Sequence, residues 1–518
     1  MKISGWQYAL IVSFLLLLAC IPIFSVDQPP LADYPNHLAR VHIWLNYGTS
    51  SEVPNVVPVW AIQPNMAFEL FVALLSVFMP LEQAGRWFVV LTMLSIAVGP
   101  AVLGRSIWGT FTIWSLLPVF FIYNRLFFWG FLGYLFSLGV AFGLSSFWVA
   151  SYSRLGRVSW FICASLLSVF VLALHLYAYA VFCLIVMFLT FRAVGNSGNK
   201  LNGKVLWLVY RLIPLALALP VFAVGAPVFE ATYYVAWGPY FDRFASFVGL
   251  MVGSDIKYDL LLMAVFLLLI GVLVFRLLTW SGVDKWILSC VLLLFLLQLV
   301  MPSRLLSSYG ADQRLAIPIA LLLGVAVSPA RVRFANFDYA ILVGLVLVYL
   351  IRIGGIQSDW VVFQKRHADL VEIYRKLPMN ANVVALVCTS NPYGLPRVPL
   401  TEHFGFAVLQ RNVFWPGLFA YPVHGAQTIA FSNPKAISSG VAKLQKVPLE
   451  ILNEVVSGVI NYSDYDLASI SRCYQFMVVI PEDGAIASLP EVSFFGEIYY
   501  KGKFAVIYTR SGINTCDW

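Results

Sequence analysis

The chain has 518 residues, of which 60% are apolar and 11% charged, with a formal net charge of +8 and a mean hydropathy of +0.83. Soluble proteins carry about 25% charged residues, so a water-soluble fold is excluded for most of the length. The basic excess reads as the lysines and arginines that hold cytoplasmic loops inside, not as a nucleic-acid footprint.

Apolar blocks fall at about 8–26, 64–80, 86–104, 108–122, 127–150, 158–174, 176–192, 205–226, 259–279, 284–301, 312–329 and 338–356. Several run without a polar stripe for nearly the ~20 residues that an α-helix needs to cross a bilayer. Lys2 precedes the first block, and Pro22 and Phe24 make a poor signal-cleavage site, so a retained first span with the N-terminus inside is expected. Residues 27–63 then form an external loop. Arg154/Arg157 and Arg192/Lys200/Lys204/Arg211 mark cytoplasmic loops. An exported C-terminus requires an odd number of crossings, so one block, within 64–150, is miscounted and about 11–13 spans are expected. Beyond Ile356 polarity becomes ordinary and period-two runs appear at Asn382–Cys388, Gln475–Ile480 and Ile498–Tyr508, the last turning on Lys501-Gly502-Lys503. The expected fold is a polytopic α-helical bundle, 1–356, followed by an exported soluble α/β domain, 357–518. Cys20, Cys163, Cys183 and Cys290 read as small core residues. Cys388, Cys473 and Cys516 belong to the C-terminal domain, where two of them either pair or stay free.

Three segments carry candidate chemistry. The first is Asp27-Gln28-Pro29-Pro30-Leu31-Ala32-Asp33-Tyr34-Pro35-Asn36-His37-Leu38-Ala39-Arg40, directly after the first span. Its prolines fix the backbone, and a helix from Asn36 puts His37 and Arg40 on one face with Asp33 close by. A carboxylate, an imidazole and a guanidinium suffice to take a proton from a hydroxyl and hold a phosphate; the plainer reading is an interfacial helix facing headgroups. The second is His175, an ionisable group at membrane depth, which reads either as functional or as a satisfied bundle histidine. Asn124-Arg125 and the run Trp129-Gly130-Phe131-Leu132-Gly133-Tyr134 form a related case, with the glycines assigned to close helix packing. The third is Arg304 to Arg314, containing Tyr309 and Asp312. Its arginines suit a lipid phosphate if the loop is exported, or anchor a cytoplasmic loop if it is not. There is no Walker loop, dinucleotide fingerprint or zinc-protease motif, and no matched pair of broken spans of the kind an inverted-repeat transporter shows.

The layout as a whole resembles the GT-C superfamily of integral-membrane glycosyltransferases, which take sugars from polyprenyl-phosphate carriers. The likeness rests on a first span followed at once by Asp33-Tyr34-Pro35-Asn36-His37-Leu38-Ala39-Arg40, a many-span bundle and an exported α/β domain. Leu377-Pro378-Met379-Asn380-Ala381-Asn382-Val383-Val384 is similar to the family's lead into that domain. The resemblance implies that Asp33 or Asp27 is the catalytic acid of the first loop, used as a base with the help of His37. It implies a polyprenyl-phosphate sugar donor with its phosphate on Arg304 or Arg314, and a glycan, lipid or protein acceptor. Arg40, Asp312, Tyr309 and His175 join these as substrate-binding candidates. The resemblance fixes no cofactor, and a divalent metal stays open. The chain departs from the family in having Tyr34 where many members carry a second acid, and in lacking a clear later acid pair, for which Glu230, Asp242 and Asp255 are the available residues. The implied location is a bacterial inner membrane. Two other classes fit the same layout: a lipid-linked saccharide transporter or flippase, insensitive to neutralising Asp33, and a non-catalytic envelope-assembly subunit, sensitive only to loss of the C-terminal domain.

Overall fold

A computed structural model of the chain describes residues 2–510 apart from 62, 152–154, 196–200, 221–234, 254, 279–281, 306–307, 329–335, 390–398, 422–426, 433–445, 449–473 and 483–494. Glu230, Arg154, Lys200, Cys473 and Cys516 lie outside the described residues.

Helix α1, Gly5–Phe24, starts at a capping box in which the Ser4 side chain and Gln7 satisfy each other's backbone groups. Tyr8, Val12, Leu15 and Ala19 pack inward, while Leu10, Phe14, Leu17 and Ile21 are exposed on the other side. A helix apolar on both faces has lipid as its outer solvent. The helices continue as α2 Tyr34–Asn46, α3 Ala67–Ser76, α4 Leu81–Trp108, α5 Leu117–Phe120, α6 Arg125–Phe128, α7 Leu132–Ala150, α8 Arg157–Leu174, α9 Leu176–Gly195 and α10 Leu201–Ala216. After them come α11 Tyr240–Val248, α12 Ile256–Leu278, α13 Lys285–Val300, α14 Ala316–Ala326, α15 Asn336–Tyr374 and α16 Gly405–Arg411.

Among the described residues seven helices (α1, α4, α7, α8, α9, α12 and α15) are long and apolar enough to cross a membrane, and five apolar helical segments are shorter. This is an integral-membrane α-helical bundle. The block at 64–80 yields the 10-residue α3, about 15 Å long, half of what a ~30 Å hydrocarbon layer requires. Helices α4 and α7 cross closely because both are glycine at the crossing: a Cβ on Gly99 would stand 2.8 Å from the Gly139 carbonyl carbon.

Helix α15 has 39 residues, about 58 Å at 1.5 Å each, and so outruns the bilayer. Its apolar stretch ends near 356, yet the helix continues to Tyr374 and carries Gln364 and His367 out of the bundle. Within the bundle Arg352 donates to the carbonyls of Phe120 and Tyr123 and lies 3.7 Å from Asp259, tying α12 and the short helices to α15.

The C-terminal sheet has five strands in the order β10-β11-β9-β6-β8, namely β6 Val383–Thr389, β8 Lys446–Pro448, β9 Phe476–Pro481, β10 Glu497–Lys501 and β11 Val506–Thr509. The three expected runs are β6, β9 and the β10–β11 hairpin. β6 pairs parallel with β8 and β9, and β11 pairs antiparallel with β9 and β10. β9 is buried along its whole length, as a central strand covered on both faces must be. Further antiparallel pairs join β1, Lys2–Ile3, to β3, Phe111–Thr112; β4, Arg304–Leu305, to β5, Ser308–Tyr309; and β2, Val56–Pro58 in the first loop, to β7, Ile429–Phe431. The first loop and the C-terminal segment therefore lie on one side of the bundle.

Candidate active site

The residues from Pro29 to Asp33 end in α2, with Asp33 at the cap position and Pro35 in the first turn, where its missing N–H costs nothing. The Asp33 side chain makes no capping hydrogen bond, so its carboxyl stands at the positive end of a helix without being spent there. Its backbone is pinned: Ala32 N donates to Phe128 O at 2.9 Å and Asp33 N to Trp129 O at 3.0 Å. Gly130 makes this approach possible. It has φ of +85°, and a Cβ there would stand 2.8 Å from the Asp33 nitrogen. The packing role expected for the glycine run is thus exercised against Asp33. Burial pushes the Asp33 carboxyl up to about 7, against the pull of Arg40 and Arg314. The residue keeps partial exposure, so it can meet a substrate.

One turn on, His37 and Arg40 project from α2 onto Glu69 of α3. Arg40 pairs with Glu69 and also bonds Gln427 and the His37 ring, while His37 Nδ1 lies 3.5 Å from Glu69 Oε1. His37 sits between the rings of Phe68 and Phe419, at 5.0 and 6.0 Å. Burial and the neighbouring Arg40 lower its pKa below the usual histidine range, despite Glu69, which leaves a neutral imidazole. The Arg40 guanidinium is engaged by the protein's own groups and reaches Asp33 through its charge.

Arg314 forms the opposite wall. Its guanidinium lies 4.5 Å from the Tyr177 ring, 4.7 Å from Phe131 and 5.7 Å from Tyr134. Nη2 donates to the Tyr309 carbonyl at 3.2 Å, and Tyr134 OH donates to the Arg314 carbonyl at 2.6 Å. Nε is buried with no hydrogen-bond partner among the described residues, so this cation has donor capacity to spare. His175, at the α8–α9 junction, accepts from Tyr177 N at 3.2 Å and packs on Tyr134 at 5.3 Å, within the fields of Arg314 and His37. Asp33, His37, Arg40, His175 and Arg314 thus converge from three separate stretches of chain.

The chain shows no match to any family model and none to a curated protein. Among solved structures it is similar to ArnT from Cupriavidus metallidurans in the apo state, at 13% identity over 97% of each chain, with a TM-score of 0.49. A likeness that loose assigns no residue and no substrate.

The remaining candidates lie around this centre. From Trp129, whose carbonyl holds Asp33, a stair of cations and rings leads outward: Arg125 stands 4.9 Å from the Trp129 ring, Tyr309 5.5 Å from Trp129, and Arg304 5.5 Å from Tyr309. Tyr309 is half-exposed. Asp312 is buried, its carboxyl raised by that burial, and its Oδ1 has no hydrogen-bond partner among the described residues. Asp242 and Arg243 act on Asp312 and not on Asp33. Asp27 is exposed and exchanges hydrogen bonds with Gln364 of α15, at 2.7 Å from its N–H and 2.5 Å to its Oδ2. The two acids that spacing left equivalent therefore occupy unlike surroundings. No group of three or more His, Cys, Asp or Glu side chains suited to a metal occurs among the described residues.

Sequence reasoning missed Glu69, Glu402 and Gln427. Glu69 had a signal, being the one acid in the apolar run Ala67–Ser76. Glu402 and Gln427 had none, because they meet α2 only through the tertiary fold.

Proposed function

We propose that the chain is a membrane glycosyltransferase of the GT-C kind, moving a sugar from a polyprenyl-phosphate carrier to an acceptor hydroxyl at the exported membrane face. The observation that carries this is Asp33: a partly exposed carboxyl just past a membrane span, at the start of a helix without being used as its cap, desolvated by its surroundings and within the field of the ring-walled Arg314. A base works best with its pKa near the working pH.

In this reading Asp33 takes the proton of the acceptor hydroxyl, and the acceptor oxygen attacks the anomeric carbon. The bond from that carbon to the carrier's phosphate oxygen breaks, its electron pair leaving with the phosphate. Arg314, with Arg304 further out, meets the charge gathered on the leaving phosphate. A single displacement of this kind inverts the anomeric centre. Neutral His37 orients the first turn of α2, and the Trp129–Tyr309 stair lies along the approach of the lipid-linked donor. Residues 1–356 make the bundle, and 357–518 are an exported domain that closes over the first loop; the N-terminus faces the cytoplasm of a bacterial inner membrane.

The test is transfer of labelled sugar from a panel of polyprenyl-phosphate sugars in membranes. Asp33→Asn is expected to lower turnover about 10²–10⁴-fold while donor lipid still copurifies. Asp27→Asn is expected to be near wild type. Full transfer by Asp33→Asn would overturn the assignment, and a lipid-linked saccharide transporter would then fit the same layout better.

A further inference from the structure

The C-terminal segment places a second carboxyl against the first-loop base. Glu402, buried to 6% exposure, receives a 2.8 Å hydrogen bond from Asn36 Nδ2. Asn36 stands one turn after Asp33 on α2, also donates to the Gly417 carbonyl at 2.8 Å, and accepts from Phe419 N at 2.9 Å. The fit is tight: a Cβ on Gly405, at the start of α16, would stand 2.6 Å from the Pro35 carbonyl carbon. The turn that carries Asp33 is thus clamped by residues 402–419, which lie more than 360 positions away in the chain.

We infer that Asp33 and Glu402 form a carboxyl pair bearing one negative charge, in which Asp33 is the ionised member and Glu402, still protonated, is a positioning residue that sets the basicity of Asp33. The inference rests on the glycosyltransferase reading for what Asp33 does with its charge. Its support is the shared surroundings. The charge of Asp33 acts on Glu402, and both carboxyls are desolvated, but the cations are unevenly shared. Arg40 and Arg314 act on Asp33, whereas beside Glu402 stands neutral His403, bonded to Tyr374 OH at 2.9 Å and to His367 at 3.0 Å, with the charge of Arg366 on α15 reaching His403. His37, His175 and Glu69 stand beyond Arg40 and Arg314. Burial, then the charge of Asp33, push Glu402 up to about 8, with Asn36 pulling the other way, while Asp33 stands at about 7. Two like charges in one desolvated site ionise in separate steps.

The experiment is an infrared pH titration of the full-length protein in nanodiscs, following the C=O band of protonated carboxyls. Wild type is expected to lose such a band as the pH rises through about 8, and Glu402→Gln to lack it. Asp33→Asn removes the like charge, so the Glu402 band is expected to titrate lower, by about one pH unit or more. Gln keeps the oxygen that accepts from Asn36, and gel filtration checks its fold; Asp33→Asn reads the pair even if Glu402→Gln does not fold. A Glu402 band that is absent from wild type at pH 7, or that Asp33→Asn leaves unmoved, overturns the pair. Sugar transfer measured alongside separates the two ideas. If Asp33→Asn is inactive and the band is unmoved, only the pair fails. If Asp33→Asn is active, the catalytic reading fails whatever the band does.

Discussion

Glu69→Gln tests whether the Arg40–Glu69 contact holds the turn that carries Asp33. The side chains are 1% and 0% exposed, so neither charge has water to fall back on. Removing one partner of a buried pair costs about 3–5 kcal/mol, because the other charge is left uncompensated. Arg40 keeps its bonds to Gln427 and His37, which puts the expected loss at the low end, about 3 kcal/mol. Removing both charges, as in Glu69→Gln with Arg40→Met, leaves no bare cation and is expected to recover most of the loss. The assay is thermal unfolding in detergent read with a thiol-reactive dye, since Cys290 and Cys388 are buried and free until the fold opens. A Glu69→Gln protein that melts with wild type, or a double variant that melts below both singles, would refute the reasoning. In a stable Glu69→Gln protein the Arg40 charge acts unopposed on Asp33, so the acid limb of the transfer profile is expected to move to lower pH.

Asp33 carries a stability cost of its own. Its folded pKa is raised from 3.8 to about 7, so the stability it contributes is full below the unfolded value and is lost as pH rises through about 4 to 7. Asp33→Asn removes that loss, up to about 4 kcal/mol at pH 8 and less in practice because the residue keeps some solvent contact. The variant should therefore melt above wild type at pH 8 and level with it at pH 4; a gap that does not grow with pH counts against a desolvated base. Arg314→Lys loses the planar fork and the bond to Tyr309, and is expected to weaken donor binding by about 1.5–3 kcal/mol, read as lipid copurifying by mass spectrometry, with Arg304→Lys smaller. Unchanged lipid in both would leave the arginines as topology anchors. Single cysteines at Ser50 and Lys501 should both label from outside intact cells; if either stays protected, the exported orientation is wrong.

The bundle was legible because lipid-facing helices need no polar stripe, and each of the twelve apolar blocks corresponds to a helical segment. Their lengths were less legible. The block ending at 356 marks where apolar surroundings end, while α15 continues to Tyr374 because nothing in Gln357–Tyr374 breaks a helix. Block 64–80 read as a span when its apolar helix is only Ala67–Ser76, and reading it as a span hid Glu69. At the site, spacing brought Asp33, His37 and Arg40 together correctly, because an i, i+3 relation is local. It had no means of telling Asp33 from Asp27, whose difference is environment: one is desolvated beside Arg314, the other is solvated beside Gln364. His175 and Arg314 were suspected singly for being ionisable at or near membrane depth, but their convergence needed α7 and α9 to cross.

The partition between bundle and C-terminal domain is a partition of sequence more than of function. A carboxylate becomes a usable base near neutral pH only if water is withdrawn from it while a cation stays close enough to keep it ionised. A proline-rich loop on a membrane surface achieves neither alone. Here the Phe128–Gly130 backbone lies against Asp33, Arg314 supplies charge from the segment before α14, and residues 402–419 close over Asn36 from the C-terminal part of the chain. Taking away the last of these would rehydrate Asp33 and return it toward the ordinary carboxylate range, where it would remain charged but become a weak base. The long helix α15 takes part in the same enclosure, because its His367 contacts His403, the neighbour of Glu402.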